Sequence, residues 1–372
     1  MIDDLIPSLV SEGQIQAAVN GCLGLITLNR PQALNALSLA MVRDITTLLN
    51  HWAARPAIQA VALLGAGREG KPPAFCAGGD IRFFHQAAHA GDASLEDFFT
   101  EEYRLNHLIH AYPKPCVALM DGIVMGGGMG ISQGAKLRVL SERSRLAMPE
   151  TGIGLFPDVG GGWFLARCPG HVGEWLALTG HAIAAGDAIE WGLGDVFVRA
   201  EQWSALIEDL CHGEQPSAEH VVATVMERAD LAPLSAPKAT MERIDRHFGQ
   251  PTVAAILGSL AQADDDWARD THATLLKRSP TMMAVTLELV RRGRQLSLAD
   301  DLRLERDLVH HSFHLRGAAR SETVEGIRAL AVDKDHAPRW QPATVDGIDA
   351  AEVAAFFVSP WAPDQHPLRD LE

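Results

Sequence analysis

A chain of 372 residues can hold one large domain with an extension, or two domains. Hydrophobic residues at 47% and charged residues at 21% describe an ordinary folded protein, with no apolar run near the roughly 18 residues that span a bilayer. A net charge of −15 repels nucleic acid and anionic membranes, so neither is an expected partner.

Any polyanionic ligand must therefore be met by local cations and backbone N–H groups. The start, Met1-Ile2-Asp3-Asp4, lacks the basic and apolar regions of a secretory signal, which makes the cytoplasm the expected location. Five cysteines (Cys22, Cys76, Cys116, Cys168, Cys211) form no C-x-x-C pair, against both a disulfide framework and a structural zinc site. Cys76 lies in a glycine-rich turn and reads as a small buried side chain.

In chain order, Gly21–Asn29 reads as a strand, with Leu23, Leu25, Ile26 and Leu28. Ser38 then caps a helix whose Leu39, Val42, Ile45, Leu48, Leu49 and Trp52 recur at spacings of three and four. Ile58–Leu64 and Cys116–Met120 are apolar strands. Such alternation over 12–200 predicts an α/β core with a substantial parallel sheet.

Beyond residue 200 the strands largely vanish. Helical periodicity runs through 201–213, which would bridge the two regions, and through 218–230, 251–262, 281–294, 299–314 and 321–331. The predicted division is a catalytic core at 12–200, a mostly helical region at 201–357 and an irregular tail at 358–372.

Two apparent motifs fail on context. Gly65-Ala66-Gly67-Arg68-Glu69-Gly70 has the spacing of a dinucleotide fingerprint, but Lys71-Pro72-Pro73 forbids the helix that must follow. His85/His89 and His310/His314 have the four-residue spacing of some metal sites. Neither pair has a third ligand nearby in sequence, so solvated helix faces are the expectation and no metal is assigned.

Three segments are harder to set aside. Phe75-Cys76-Ala77-Gly78-Gly79-Asp80 and Asp121–Gly130 are glycine-rich turns after strands, the second leading into a helix. Turns of this kind can aim free N–H groups at a ligand, and two such donors make an oxyanion hole for a thioester carbonyl. Equally, tight turns simply need glycine. Met148–Gly162 sets Glu150 and Asp158 among apolar residues. Extended, that chain would hold them about 26 Å apart, but Gly152, Gly154 and Pro157 let it fold back. Either both carboxyls face one pocket as acid and base, or Glu150 caps a helix and Asp158 a turn.

Together these segments resemble the crotonase (enoyl-CoA hydratase/isomerase) superfamily. Asn29-Arg30-Pro31 through Asn35-Ala36-Leu37 is similar to its opening signature, and the two turns to its oxyanion-hole loops. Glu101-Glu102-Tyr103-Arg104-Leu105-Asn106, Asp121–Gly130 and Met148–Gly162 resemble the branch that hydrolyses 3-hydroxyisobutyryl-CoA in valine breakdown. Ser279-Pro280-Thr281, Val324-Glu325-Gly326, Asp333-Lys334-Asp335 and Trp340 extend the likeness over roughly 12–357.

The resemblance implies a β/α spiral core with a helical C-terminal extension and an acyl-CoA substrate. It implies no cofactor beyond the CoA of the substrate, and a possible homo-oligomer. It assigns the backbone N–H groups of Gly79 and Gly127 to the oxyanion hole, and Glu150 and Asp158 to catalysis. Glu102 is implied to line the acyl pocket, and Ala33, Ala77 and Arg82 to contact CoA. One departure stands out. Where hydratases of the superfamily carry a second catalytic Glu, this chain has Gly130, which fits thioester cleavage better than hydration.

Overall fold

The computed structural model describes residues 5–71, 73–236 and 238–372; the Met1–Asp4 start and Pro72 lie outside the described residues. The first part of the chain runs β1 (Ile15–Asn20), β2 (Leu23–Leu28), α1 (Leu39–Ala53), β3 (Ala60–Gly65), β4 (Ala74–Cys76), α2 (Ile81–Ala90) and α3 (Ser94–His110). There follow β5 (Cys116–Met120), β6 (Ile123–Met125), α4 (Gly127–Gln133), β7 (Leu137–Leu140), β8 (Arg145–Ala147), α5 (Gly161–Leu165), α6 (Val172–Thr179), α7 (Ala185–Glu190) and β9 (Val196–Phe197). Helices then take over: α8 (Ala200–His212), α9 (Ala218–Met226), α10 (Lys238–Phe248), α11 (Val253–Ala261) and α12 (Asp266–Leu275). The last are α13 (Pro280–Gly293), α14 (Leu298–His314), α15 (Glu322–Ile327) and α16 (Ala350–Phe356).

The α/β class and the strand-poor second half match the sequence reading. Beyond residue 200 three helices escaped it, α10, α12 and α16, because their apolar stripes are thin. Helix α16, for one, buries only Phe356. Strand β1 was also missed, since its alternation is half polar. It pairs antiparallel with β2 through the Gly21-Cys22 turn.

The chain forms two compact units in interleaved stretches, rather than dividing once near residue 200. The first comprises the stretch ending at Gly79, with Arg104–Leu146 and Ile183–Ser235; the second comprises Asp80–Tyr103, Ala147–Ala182 and Ala236–Glu372.

In the first unit the sheet has the order β1-β2-β3-β5-β7-β9, parallel from β2 onward. One face, built from Leu23, Leu25, Ala60, Ala62, Val117, Leu119 and Val139, packs on Trp203, Leu206 and Leu210 of α8 and on Val221 and Val225 of α9. Burial on both faces is why these strands read as unbroken apolar runs. Helix α8 therefore completes the core under the sheet instead of bridging two regions. At Gly24 a Cβ would sit 2.6 Å from the Trp52 ring, so only glycine admits that indole.

The second unit is helical and holds charge as well as apolar side chains. Phe83, Phe84, Phe98, Phe99, Tyr103 and Phe313 form a chain of ring contacts within it. Residues 358–372 carry no helix or strand, yet Leu368 is fully buried and the Trp361 ring packs at a tilt against His310.

Candidate active site

In the first unit, β4 and β6 run side by side in parallel, with Cys76 opposite Val124, so both glycine turns leave the same edge of one small sheet. Contact between them is backbone on backbone. A Cβ on Gly78 would lie 3.5 Å from the Gly127 nitrogen, and one on Gly128 only 2.3 Å from the Cys76 carbonyl oxygen. Gly78 at φ +102° and Gly126 at φ +49° occupy conformations that L side chains avoid. The two donors assigned from the sequence, Gly79 and Gly127, follow directly. Among the described residues no oxygen accepts from either N–H. Glycine here serves approach as well as turning.

The second unit brings the three assigned carboxyls together. Glu102 on α3, Glu150 opening the short helix Glu150–Ile153, and Asp158 in the following loop are all buried. Burial pushes Glu102 well above the usual carboxylate range, and the charges of Asp158 and Glu150 push it further. Glu150 is likewise pushed well up, by burial and then by Asp158. Asp158 rises only to about 6, because burial is opposed by the Tyr103 hydroxyl donating to its Oδ2 over 2.8 Å. Glu150 Oε2 and Glu102 Oε1 are buried with no partner among the described residues. Loss of water thus raises the proton affinity of all three and leaves two of their oxygens free, a setting in which carboxyls serve acid–base work.

The N-cap positions of the helices beside Glu150 and Asp158 are Pro149 and Gly160, and neither helix has a side-chain cap. Asp158 does not cap the helix after it with its side chain. Those N–H groups are taken from α14: Glu305 accepts from Gly160 (2.7 Å) and Gly162 (3.0 Å), and Asp301 accepts from Trp163 (2.8 Å). Sequence reasoning missed Tyr103, although it lies inside the Glu101–Asn106 motif, and missed Asp301 and Glu305. The signal was there for the last two. They stand four apart on the same side of α14 as Leu298 and Leu302, where acids are out of place.

Ala33 ends a one-turn helix, and the Ala77 N–H bonds to the Leu34 carbonyl at 3.0 Å, so these two assigned CoA contacts share one corner of the first unit. Buried Asn35 holds that corner, accepting from the Arg30 N–H and donating to the Ala66 and Ala74 carbonyls. Arg82 is exposed in the first turn of α2, in the second unit. Gly130 lies buried in α4, its N–H bonded to the Gly126 carbonyl.

The His310/His314 pair needs a correction. It faces Glu96, which is distant in sequence, with His314 Nε2 at 2.7 Å and His310 Nδ1 at 3.3 Å from Oε1. Arg306, buried on the same helix, also binds that carboxylate. Burial works against ionising Glu96, but His310, His314 and Arg306 outweigh it and hold the carboxyl well below its usual range. The cluster is charge-balanced by its own arginine and ties α3 to α14.

The sequence profile of the family described as enoyl-CoA hydratase/isomerase matches residues 23–357. The chain is 40% identical over 349 residues to "3-hydroxyisobutyryl-CoA hydrolase, mitochondrial" of Rattus norvegicus, covering 91% of this chain and 87% of that protein. To the protein of the same name from Homo sapiens it is 38% identical over 354 residues, covering 92% and 88%. Among solved structures it resembles a carnitinyl-CoA dehydratase from Mycobacterium thermoresistibile, at TM-score 0.86 and 37% identity, covering 96% of this chain and 99% of that one. An enoyl-CoA hydratase from Rhodobacter sphaeroides is similar at TM-score 0.81 and 37% identity, covering 93% and 98%. The curated relatives are named mitochondrial, which overturns the cytoplasmic location expected from the sequence. Composition reports that a chain folds in water, and it does so alike in any aqueous compartment.

Proposed function

Because the chain belongs to the enoyl-CoA hydratase/isomerase family, we propose that it hydrolyses a short 3-hydroxyacyl-CoA thioester, 3-hydroxyisobutyryl-CoA above all, releasing the hydroxy acid and CoA. The observation that carries this reading is the buried trio Glu102, Glu150 and Asp158, in a chain whose α4 offers only Gly130 where a hydratase needs its second carboxylate.

The chemistry is acyl transfer. The N–H groups of Gly79 and Gly127 receive the charge that builds on the thioester oxygen as the carbonyl carbon is attacked. Glu150, with its free Oε2, either draws a proton from the attacking water or attacks to give a mixed anhydride that water resolves. The C–S bond breaks, and the CoA thiolate leaves and takes up a proton. Asp158 is the most readily ionised of the three and orients the reacting group, binds the 3-hydroxyl or assists CoA departure. Glu102 lines the acyl pocket. Ala33, Ala77 and Arg82 contact CoA, and no metal or redox cofactor takes part.

The two solved relatives are named for dehydration and hydration, so hydration is the rival reading. Purified protein given 3-hydroxyisobutyryl-CoA should release free thiol, and given crotonyl-CoA should leave the enoyl absorbance nearly unchanged. Rapid enoyl loss without thiol release would make it a hydratase.

A further inference from the structure

We propose that Glu305 is a positioning residue for Asp158: from α14 it clamps the backbone of Gly160 and Gly162 and so keeps the Asp158 side chain turned to Tyr103. This rests on the catalytic role proposed above for Asp158. Both oxygens of Glu305 are used, one on each N–H, as a carboxylate does when it occupies a helix start. Asp301, one turn earlier, takes the Trp163 N–H. The Gly160, Gly162 and Trp163 donors are thereby satisfied from a sequence-distant helix, while the Gly161 N–H bonds to the Asp158 carbonyl at 2.8 Å.

Two features show what the clamp holds. Val159 has φ +59°, a left-handed conformation that a β-branched residue strongly avoids, and Gly160 follows at φ +87°. A chain that turns this way immediately after Asp158 needs surrounding contacts to keep it there. In addition, an aspartate two residues before a glycine-led helix would ordinarily bond that helix's own N–H groups. Glu305 and Asp301 occupy those donors, and the Asp158 carboxyl goes to the Tyr103 hydroxyl instead.

The clamp requires two acids in one dry place, since Asp301 and Glu305 are both fully buried. They titrate together. Burial pushes Asp301 up to about 7, and burial with the charges of Asp301 and Asp158 pushes Glu305 well above its ordinary range. The charged or titratable groups acting on the pair are Asp158, Tyr103 and Arg167, whose guanidinium favours ionisation of Asp301. Loss of water and mutual repulsion thus favour a proton shared by the pair. Stripping it leaves two anions side by side, and their repulsion loosens the grip on the loop.

Glu305→Gln sets an NH2 against one of the two donors. With 3-hydroxyisobutyryl-CoA it should lower kcat at least about 10-fold while KM stays within about twofold. Asp301→Asn imitates the protonated partner: it should lower kcat less than about threefold and abolish the fall in kcat above pH ~7 that the clamp predicts for the native enzyme. A substrate-free readout is the infrared titration of Asp158, identified as the carboxyl band lost in Asp158→Asn. That band should titrate at a different pH in Glu305→Gln. If Glu305→Gln keeps native kcat and the Asp158 band titrates unchanged, Glu305 is merely structural and the proposal falls. Should Glu305→Gln not fold, Asp301→Asn decides, and an alkaline limb identical to the native one overturns the clamp. If native protein releases no thiol, the functional reading fails, and the infrared titration still judges the clamp by itself.

Discussion

In the first unit the functional groups are backbone N–H donors carried on glycine turns; in the second they are carboxyls carried on elements far apart in the chain. The difference is one of cost. Turns fixed by β4, β6 and the approach of Gly128 to Cys76 lie beside a sheet that packs on α8 and α9 through apolar side chains, and the donors themselves are backbone groups that bring no buried charge. The second unit buries Glu102, Glu150, Asp158, Asp301 and Glu305, each pushed above its ordinary range, foremost by loss of water. Charge kept dry is reactive, and it is destabilising for the same reason. Substitutions in the two units should therefore fail in different ways.

The largest effect belongs to the carboxyls. Glu150→Gln and Asp158→Asn keep shape and remove the ability to exchange a proton, so each should lower kcat for thioester hydrolysis by at least about 10²-fold with the far-ultraviolet circular dichroism unchanged. Near-native rates in both would mean that the second unit's acids are structural and that the contrast between the units is false.

In the first unit the damage should come through geometry. The Cβ of Gly128→Ala would fall 2.3 Å from the Cys76 carbonyl oxygen, in a contact that is all backbone and has no flexible side chain to move aside. Strand β4 and helix α4 must separate, and Gly79 and Gly127 with them. Removing one oxyanion donor outright costs about 10²–10³ in kcat, so a displaced pair should cost roughly 10-fold or more. Thermal melting should also fall, which it need not do for Glu150→Gln. A Gly128→Ala enzyme with native kcat would remove the oxyanion role from these turns.

How much of this was legible in the sequence follows the same divide. The glycine turns could be placed from Gly78, Gly79 and Gly126–Gly128, since Gly78 and Gly126 take conformations that L side chains avoid and Gly128 lies too close to Cys76 for a Cβ. Glu150 and Asp158 were legible as a pair because they stand eight positions apart with three helix-breaking residues between them. Their partners were not. Tyr103, Asp301 and Glu305 come from helices 55 to 145 residues away, and hydrophobic periodicity cannot say which distant helix supplies a hydrogen bond. The His310/His314 pair failed in the same way, since Glu96 is 218 residues from His314. Helix α8 was found as a helix but misplaced, because its stripe of Trp203, Leu206 and Leu210 states that it packs and not on what.

The smallest effect, and the sharpest test of the cost, is on stability. Glu102 has a folded-state pKa raised well above its ordinary 4.5 by burial, with Asp158 and Glu150 adding to it. For an acid shifted upward, the folded state binds the proton more tightly than the unfolded chain. Its contribution is thus fully present below about pH 4.5 and is lost as pH rises toward the folded value. Glu102→Gln carries no titrating proton and has no such loss. The two proteins should melt together near pH 4.5. The variant should gain steadily as pH rises to 8, by about 2–4 °C for each kcal/mol relieved. Thermal melts of both proteins across that range measure it. A variant that melts with or below the native protein at pH 8 would show that Glu102 is ionised and well paired when folded, and that the second unit's acids are not held at the expense of stability.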